Sequence, residues 1–302
     1  TYYVKDGLKS RKKVRREKEI EVEKEGGDTP YPSWDDLRVE DREQGPSLYI
    51  MVRDAEGRLI RQVTANAGKG LHRTAWDLRL PPPDPVSIAP AEERPYWMSD
   101  PAGPLVLPGT YTARLAVERD GVLTETGEAQ SFVVKALDAS TEITADRKAL
   151  QAFQVQVAEL QRAVQGSGNA MAELQNRLAH VRAAIPVTPL ASDAERDVLR
   201  QLEERLADVS VAIHGDSTIG GRNEPVPMPI ASRVSSLYWS LMYSQSPAGG
   251  NFRDSYAVAA QEFAVALQAL RTLAADISAL EGALELKGAP WTPGRIPDWS
   301  PE

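Results

Sequence analysis

The hydrophobic period of this chain changes once, and that change constrains the fold more than any other feature. Across residues 47–139 apolar and polar side chains alternate, as they do in half-buried strands, except in a proline-rich excursion at residues 81–108 that is too polar for a core element. From residue 140 apolar side chains recur every three or four positions, as on one face of a helix. A chain of 302 residues is long enough for two domains. We therefore expect a multi-domain α+β protein, with an Ig-like antiparallel β-sandwich followed by an antiparallel α-helical bundle.

Turn signals divide the alternating region into strands. "SLYIMVRDAEGRLIRQV" predicts a hairpin in which Gly57 takes a positive φ, and Asp120-Gly121 predicts a second tight turn. "LHRTAWDLRL", residues 71–80, is predicted to be the third strand. A strand would place His72 and Asp77 on opposite faces, so they could not form a catalytic dyad. Trp76 is expected to fill the core, and Asp77 to order the next turn.

The helical region has regularly spaced apolar stripes. The first runs from Leu150 to Val164 and is predicted to end at Gly166; the second runs from Met171 to Ile185. Ser192 and Glu195 form a capping box for the next helix. In the last helix the stripe residues stand seven apart: Tyr256, Phe263, Leu270, Ile277 and Leu284. No stripe carries an inward carboxylate or histidine, so a di-metal centre is not expected in the bundle.

Composition excludes several kinds of chemistry. The chain has no cysteine, only three histidines and a formal charge of −8. Thiol chemistry is therefore excluded, no histidine pair has metal-ligand spacing, and nucleic acid is not an expected partner. Apolar runs are too short to predict a membrane span. The acidic pairs Asp35-Asp36 and Glu203-Glu204 have no apolar pocket to raise a pKa, so we predict no catalytic residue, no metal site and no cofactor.

The region before residue 47 has a different character. Tyr2, Tyr3 and Val4 look like the last strand of a preceding structure. Residues 8–25 are charged and helix-permissive, which favours a solvated connector, although the basic residues 9–18 leave an anionic-surface binder as an alternative. Ser33 is predicted to cap a short helix.

Aromatic residues in the C-terminal half form the one candidate interface. Tyrosine and tryptophan favour protein interfaces or carbohydrate grooves, and the alternative is that they supply buried area. The candidate residues are Tyr238, Trp239, Tyr243, Phe252, Trp291 and Trp299.

Several motifs resemble one family when taken in order. They are "TYYVK" (1–5), "PYPSWDDLRVEDRE" (30–43), residues 58–80, residues 103–115 with "LPGTYTARL", "GRNEPVPMPIASRVSSL" and "GAPWTPGRIPDW". Together they resemble the C-terminal region of bacterial sortilin-like or glycosyl-hydrolase-like Asp-box propeller proteins, including an Ig-like module of flagellar-hook-capping type. The resemblance covers nearly all of the chain. It implies that the first strand closes an upstream propeller and that the protein is secreted or periplasmic.

These observations together predict four segments. They are the end of a propeller strand with a charged helical linker (1–46), the Ig-like sandwich (47–139), the helical bundle (140–288) and an extended proline- and tryptophan-containing tail (289–302). We expect a non-catalytic structural and interaction region whose partners are the chain's own upstream propeller and, through the bundle, a second copy. The alternative is a set of accessory domains of a secreted glycoside hydrolase or peptidase whose active site lies in the propeller.

Overall fold

The computed structural model describes residues 1–88, 101–136, 144–222, 224–297 and 299–301. It is a mixed α/β protein, 51% helix and 17% strand, with small antiparallel sheets. Thr1–Pro81 and Leu105–Thr141 form one compact unit, which we call the sheet unit. Pro82–Pro104 and Glu142–Glu302 form the second, the helical unit. The predicted boundary between residues 139 and 140 and much of the proline-rich excursion lie outside the described residues.

Two antiparallel sheets make up the strands of the sheet unit. The strands are β1 (Tyr2–Val4), β2 (Ser47–Arg53), β3 (Leu59–Ala65), β4 (Gly70–His72), β5 (Gly109–Arg119) and β6 (Val122–Val134). The larger sheet has four strands in the order β3-β2-β5-β6, and the smaller one pairs β1 with β4.

The apolar face of the larger sheet is buried beneath an irregular segment. Val52 and Tyr111 from the sheet pack with Val106, Trp76 and Leu80. The Trp76 ring meets Tyr111 edge to face, with centroids 5.7 Å apart. Trp76 is half-buried and packs against this core cluster, in partial agreement with the prediction that it fills the core.

Backbone angles and a local hydrogen bond confirm the turns that the sequence predicts. Gly57 has φ +79° in the β2–β3 hairpin, and Asp120 and Gly121 have φ +49° and +76° between β5 and β6. The amide of Arg79 donates to Asp77 Oδ1 over 3.0 Å, so Asp77 orders the turn that follows it, as predicted.

The predicted third strand is shorter than expected. Regular pairing ends at His72, and β4 pairs with β1 through Tyr2–His72, Tyr3–Leu71 and Val4–Gly70. Beyond it, only an isolated bridge between Arg79 and Leu105 remains. Trp76 Nε1 donates to Arg79 O over 3.0 Å, so the indole caps a local loop where a strand was expected.

Two capped helices complete the sheet unit. Helix α1 is Arg11–Lys24 and helix α2 is Trp34–Arg42. The hydroxyl of Ser33 accepts from the amide of Asp36, which confirms the predicted cap. Neither helix has a buried residue, in keeping with the charged composition of α1.

The helical unit is built on long helices. They are α3 (Thr144–Ala184), a short 3₁₀ turn (Ile185–Val187), α4 (Asp193–His214), α5 (Ser217–Gly220), α6 (Ile230–Tyr243) and α7 (Gly250–Glu285). The predicted stripes of α3, α4 and α7 share one core with Ile230 and Val234 of α6. A second cluster joins Phe153 of α3 to Leu241 of α6, and Gln154 donates to Leu241 O over 2.8 Å within it. The capping box of Ser192 and Glu195 is confirmed at the start of α4.

Gly166 does not end a helix, contrary to the prediction. Helix α3 continues without interruption through Gly166 and Gly168. The buried stripe continues across them through Val164, Ser167 and Met171, and the Ser167 hydroxyl donates to Ala163 O over 2.9 Å. Burial of this stripe outweighs the roughly 1 kcal/mol that a glycine costs inside a helix.

Candidate functional site

The predicted aromatic interface residues do not come together in one place. Phe252 lies in the first turn of α7, whereas Trp291 donates through Nε1 to Arg295 O, and Arg295 in turn binds Glu281 O near the end of the same helix. From Phe252 to Glu281 the helix rises about 44 Å at about 1.5 Å per residue. The set therefore divides into a group near the start of α7 and a group in the tail.

The first group is largely internal to the helical unit. Tyr238 is 2% exposed, and its hydroxyl donates to Ala102 O. Phe252 packs against the cluster that contains Tyr238 and Leu241. Trp239 is 41% exposed and its ring lies 5.3 Å from that of Tyr238. The side chain of Tyr243 lies outside the described part of the structure.

The tail group is exposed to solvent. Trp291 is 56% exposed and Trp299 is 80% exposed. Arg295 holds the tail on α7, because it binds Glu281 O and forms an ion pair with Glu285 at 2.9 Å. An interface role for Trp239, Trp291 and Trp299 stays a prediction.

The acidic pairs that the sequence contains are occupied by local partners. Asp35 pairs with Arg38 at 2.7 Å, and Asp36 accepts from the Ser33 hydroxyl at 2.6 Å. Glu203 pairs with Arg182, and Glu204 with Arg200 at 2.8 Å. In each pair the two neighbouring carboxylates interact with different groups, so all four take part in local contacts.

One carboxylate is buried between the helices, which contradicts the prediction of an interior without acids. Glu281 in α7 is 2% exposed. Arg177 of α3 binds both carboxylate oxygens, at 3.0 and 2.5 Å, and also reaches the Ser278 hydroxyl. The hydrogen bonds that Arg177 donates to Glu281 raise the pKa of Arg177 above its ordinary value. Glu281 is thus a neutralised structural charge, because its partner occupies both of its oxygens.

Neither histidine chemistry nor a metal centre emerges from the described residues. His72 Nε2 donates to Gly68 O over 2.7 Å, and His180 is exposed and donates through Nδ1 to Asn176 O over 2.8 Å. Within the described ranges, no group of three or more histidine, aspartate or glutamate side chains is placed to hold a metal ion.

Helix α7 has the length and composition of a membrane span, which its short uninterrupted apolar runs did not predict. Of the helices in the described residues, it alone passes this test, with a mean hydropathy of 1.4 and 33% of the window buried. A core helix of a soluble protein has the same properties, and α7 packs Phe263, Leu270 and Ile277 into the shared core. Composition alone is weak support for a membrane role.

A groove lies between α1 and α2 in the sheet unit. Its walls are the two helices from Arg11 to Val22 and from Asp36 to Glu40, and residues 28–33 close one end. We call it the α1–α2 groove; its volume is about 610 Å³. That volume lies in the range of ~300–1,000 Å³ typical of ligand pockets.

Ion pairs fix the spacing of the two helices that form the groove. Arg15 binds both oxygens of Glu40, at 2.6 and 2.8 Å, and also Glu19 at 2.6 Å. Arg15 therefore lowers the pKa of Glu40, while both carboxylates raise that of Arg15. Arg11 pairs with Asp120 at 2.8 Å, and its amide donates to Glu43 at 2.7 Å. These charges are matched, so they hold the groove together and do not supply an acid or a base.

The groove is bordered by an exposed aromatic pair that the sequence analysis did not identify as a site. Tyr31 is 75% exposed and Trp34 is 70% exposed, and their rings meet edge to face with centroids 6.0 Å apart. The signal in the sequence was the prolines of "PYPSW", which hold this segment outside a helix until Ser33 caps α2. Exposed aromatic pairs of this kind favour interfaces.

The basic stretch of residues 9–18 is partly neutralised. Lys9 pairs with Glu17, and Arg11 and Arg15 have the carboxylate partners described above. Lys12, Lys13 and Arg16 are exposed on α1. The patch is therefore smaller than its sequence suggests, which weakens the anionic-surface alternative.

No protein-family model, curated protein or solved structure matches this chain.

Proposed function

We propose that this chain is a non-catalytic structural and interaction region that supports an upstream β-propeller and associates with a second copy of itself. In this proposal the protein is secreted or periplasmic, and any hydrolytic chemistry of the parent protein belongs to the propeller. The proposal depends on the family resemblance of the motifs and on the surface properties of the sheet unit.

We also propose a finer description of the two units, an Ig-like sandwich and an antiparallel helical bundle. Two observations support it. The hydroxyl of Tyr111 at the start of β5 donates to Leu107 O, four residues upstream, over 2.7 Å. A tyrosine bonded to upstream backbone in this way occurs at the corner of Ig-like sandwiches. In the helical unit, the stripes of α3, α4 and α7 face one core, as in a bundle.

The observation that carries the proposed function is that the exposed apolar side chains of the sheet unit include two adjacent pairs. Tyr3 and Leu71 are register partners on the β1–β4 sheet and are 62% and 72% exposed. Tyr31 and Trp34 form the second pair. Single exposed apolar residues are ordinary on protein surfaces, but contiguous ones mark interaction sites.

The β1–β4 sheet is the surface that we assign to the propeller. Within the described residues each of its strands pairs only with the other, so each has an outer edge with free backbone groups. A two-stranded ribbon is marginally stable alone, and packing of Tyr3 and Leu71 against another domain would stabilise it.

Binding between the separately expressed propeller portion and this chain tests the proposal. We expect a complex in size-exclusion chromatography, and we expect the double variant Tyr3→Ser/Leu71→Ser to weaken binding at least tenfold in calorimetry. Leu190→Ser is the matched control, since Leu190 is 67% exposed but lies in the helical unit. A chain that is strictly monomeric and does not bind the propeller portion would refute the proposed function.

A further inference from the structure

The sheet unit places a protrusion directly beside a cavity. The protrusion is the Tyr31–Trp34 pair, and Tyr31 also lines the α1–α2 groove of about 610 Å³. Because a twofold interface brings the same patch of two copies together, it needs a surface that is complementary to itself. A projecting side chain next to a groove meets that requirement, since each copy can insert into the other.

We propose that the α1–α2 groove and the Tyr31–Trp34 pair form a twofold interface between two copies of this chain. In the complex, the aromatic pair of each copy occupies the groove of the other. This inference deepens the association with a second copy included in the proposed function, and it assigns that association to the sheet unit instead of the helical bundle.

The charges around the groove favour a second copy as the occupant. Arg15 and Glu40 are satisfied by each other, and Asp36 accepts from Ser33. Among the described charged residues that line the groove, Asp36 has a hydrogen bond but no ion pair, and Lys18 of α1 and Asp28 of the closing loop have neither. In the proposed arrangement Lys18 of one copy pairs with Asp28 of the other, and the reverse, so that the dimer gains two ion pairs.

The area of the patch agrees with a weak dimer. Four aromatic side chains per dimer, each able to bury ~150–250 Å² and each about 70% exposed, contribute on the order of 600 Å². A stable interface buries roughly 1,200–2,000 Å² in total, so the aromatics supply about half of the lower value. The half-exposed Val22 and Val39 and the groove rims supply the remainder. We therefore expect a dissociation constant on the order of micromolar.

Sedimentation velocity over a range of protein concentrations tests the association. We expect the wild-type chain to change from monomer to dimer, and we expect Trp34→Ser to raise the dissociation constant at least tenfold. Leu190→Ser, which removes an equally exposed apolar side chain from the helical unit, should dimerise like the wild type. Circular dichroism verifies that the variants are folded. A wild-type chain that stays monomeric, or a Trp34→Ser chain that dimerises normally, overturns the proposal.

A charge-reversal pair tests the twofold arrangement itself. Lys18→Glu and Asp28→Lys should each weaken self-association, because each variant brings like charges together twice. Mixed in equal amounts with different fluorescent labels, the two variants should form a heterodimer at least tenfold more stable than either homodimer, since every pair in it is then of opposite sign. Variants that associate no better together than separately overturn the arrangement.

Binding of the same variants to the propeller portion separates this inference from the proposed function. If Trp34→Ser abolishes propeller binding and the wild-type chain does not dimerise, the groove binds the propeller. The dimer and the self-association are then refuted, while the propeller-supporting part of the proposed function stands. If Trp34→Ser abolishes dimerisation and leaves propeller binding unchanged, both stand.

Discussion

At the scale of single residues, Glu281 is a buried charge that depends on a distant partner. A carboxylate that is 1% exposed is costly unless its charge is matched, and Arg177 matches it with two hydrogen bonds. Near the same end of α7, the guanidinium of Arg295 donates to the backbone carbonyl of Glu281. Glu281 therefore connects α3, α7 and the tail through one side chain and one carbonyl.

Replacing Arg177 should destabilise the protein strongly. In Arg177→Met the carboxylate of Glu281 loses its partner, and we expect a loss of about 3 kcal/mol in the free energy of unfolding. Urea denaturation followed by circular dichroism measures this. The double variant Arg177→Met/Glu281→Leu should recover most of the loss, because no buried charge remains.

A control for this prediction is the exposed pair of Arg182 and Glu203. Arg182 has a side-chain exposure of 67%. Arg182→Met should therefore cost less than about 1 kcal/mol. Equal losses in Arg177→Met and Arg182→Met would contradict the structural role of Glu281.

The stability contributed by Glu195 should depend on pH. Hydrogen bonds from Lys287 and Ser192 lower the pKa of Glu195 from 4.5 to about 2. A depressed folded-state pKa stabilises the protein above the unfolded-state pKa, and this stabilisation is lost as the pH falls. The wild type should therefore exceed Glu195→Gln in thermal stability above pH 4.5, and the difference should disappear as the pH approaches about 2. A difference that is independent of pH would contradict this assignment.

Local residue roles could be predicted from the sequence, whereas long-range ones could not. The cap at Ser33, the turn at Gly57 and the capping box at Ser192 each depend on neighbours within a few positions. The partner of Glu281 lies 104 positions away, so the stripe pattern alone gave no reason to place a carboxylate inside. Burial of that carboxylate depends on Arg177, which no local pattern connects to it.

At the scale of elements, tertiary packing decides where helices and strands end. Helix α3 passes through Gly166 because its buried face continues, and β4 stops at His72 because its partner β1 has only three residues. The period of two persisted in the sequence beyond His72, but alternation without a neighbouring strand does not form a sheet. Element type was predictable over much of the chain, and element length was not.

Substituting the glycines tests this view of α3. An added Cβ at Gly166 meets no atom within 4 Å, so Gly166→Ala should stabilise the protein by about 0.5–1 kcal/mol. Gly215 provides the contrast. Its φ is +90° and an added Cβ would lie 2.6 Å from Pro229 Cγ, so Gly215→Ala should be destabilising. Thermal denaturation distinguishes the two; a destabilised Gly166→Ala would mean that α3 bends or breaks there.

At the scale of the whole molecule, α7 is central to the helical unit. Its inward residues from Ala259 to Leu284 contribute to the shared core, and its outward face includes Val265, which is 71% exposed. The seven-residue spacing that predicted an extended seam is confirmed for Phe263, Leu270, Ile277 and Leu284. The exposure of Tyr31 could not be predicted from a pattern within its own segment. It depends on which distant parts of the chain pack over that residue.

Phe263 and Val265 provide a paired test of α7 as a core helix. Phe263 is 4% exposed, so Phe263→Ala should lower the free energy of unfolding by about 4 kcal/mol in detergent-free buffer. Val265→Ala should change it by less than about 0.5 kcal/mol. Equal effects from the two variants would contradict packing of α7 in a water-soluble core.

The order in which the two units share the chain has a consequence for biosynthesis. Residues 82–104 interrupt the sheet unit and belong with the helices, and Ala102 meets Tyr238 only 136 positions later. At ~5–20 residues per second, a ribosome needs on the order of ten seconds to make that stretch. The sheet unit can therefore fold before α6 has been synthesised. Until then residues 82–104 lack their contacts with the helical unit, and we expect a chaperone or a protease to bind this segment first.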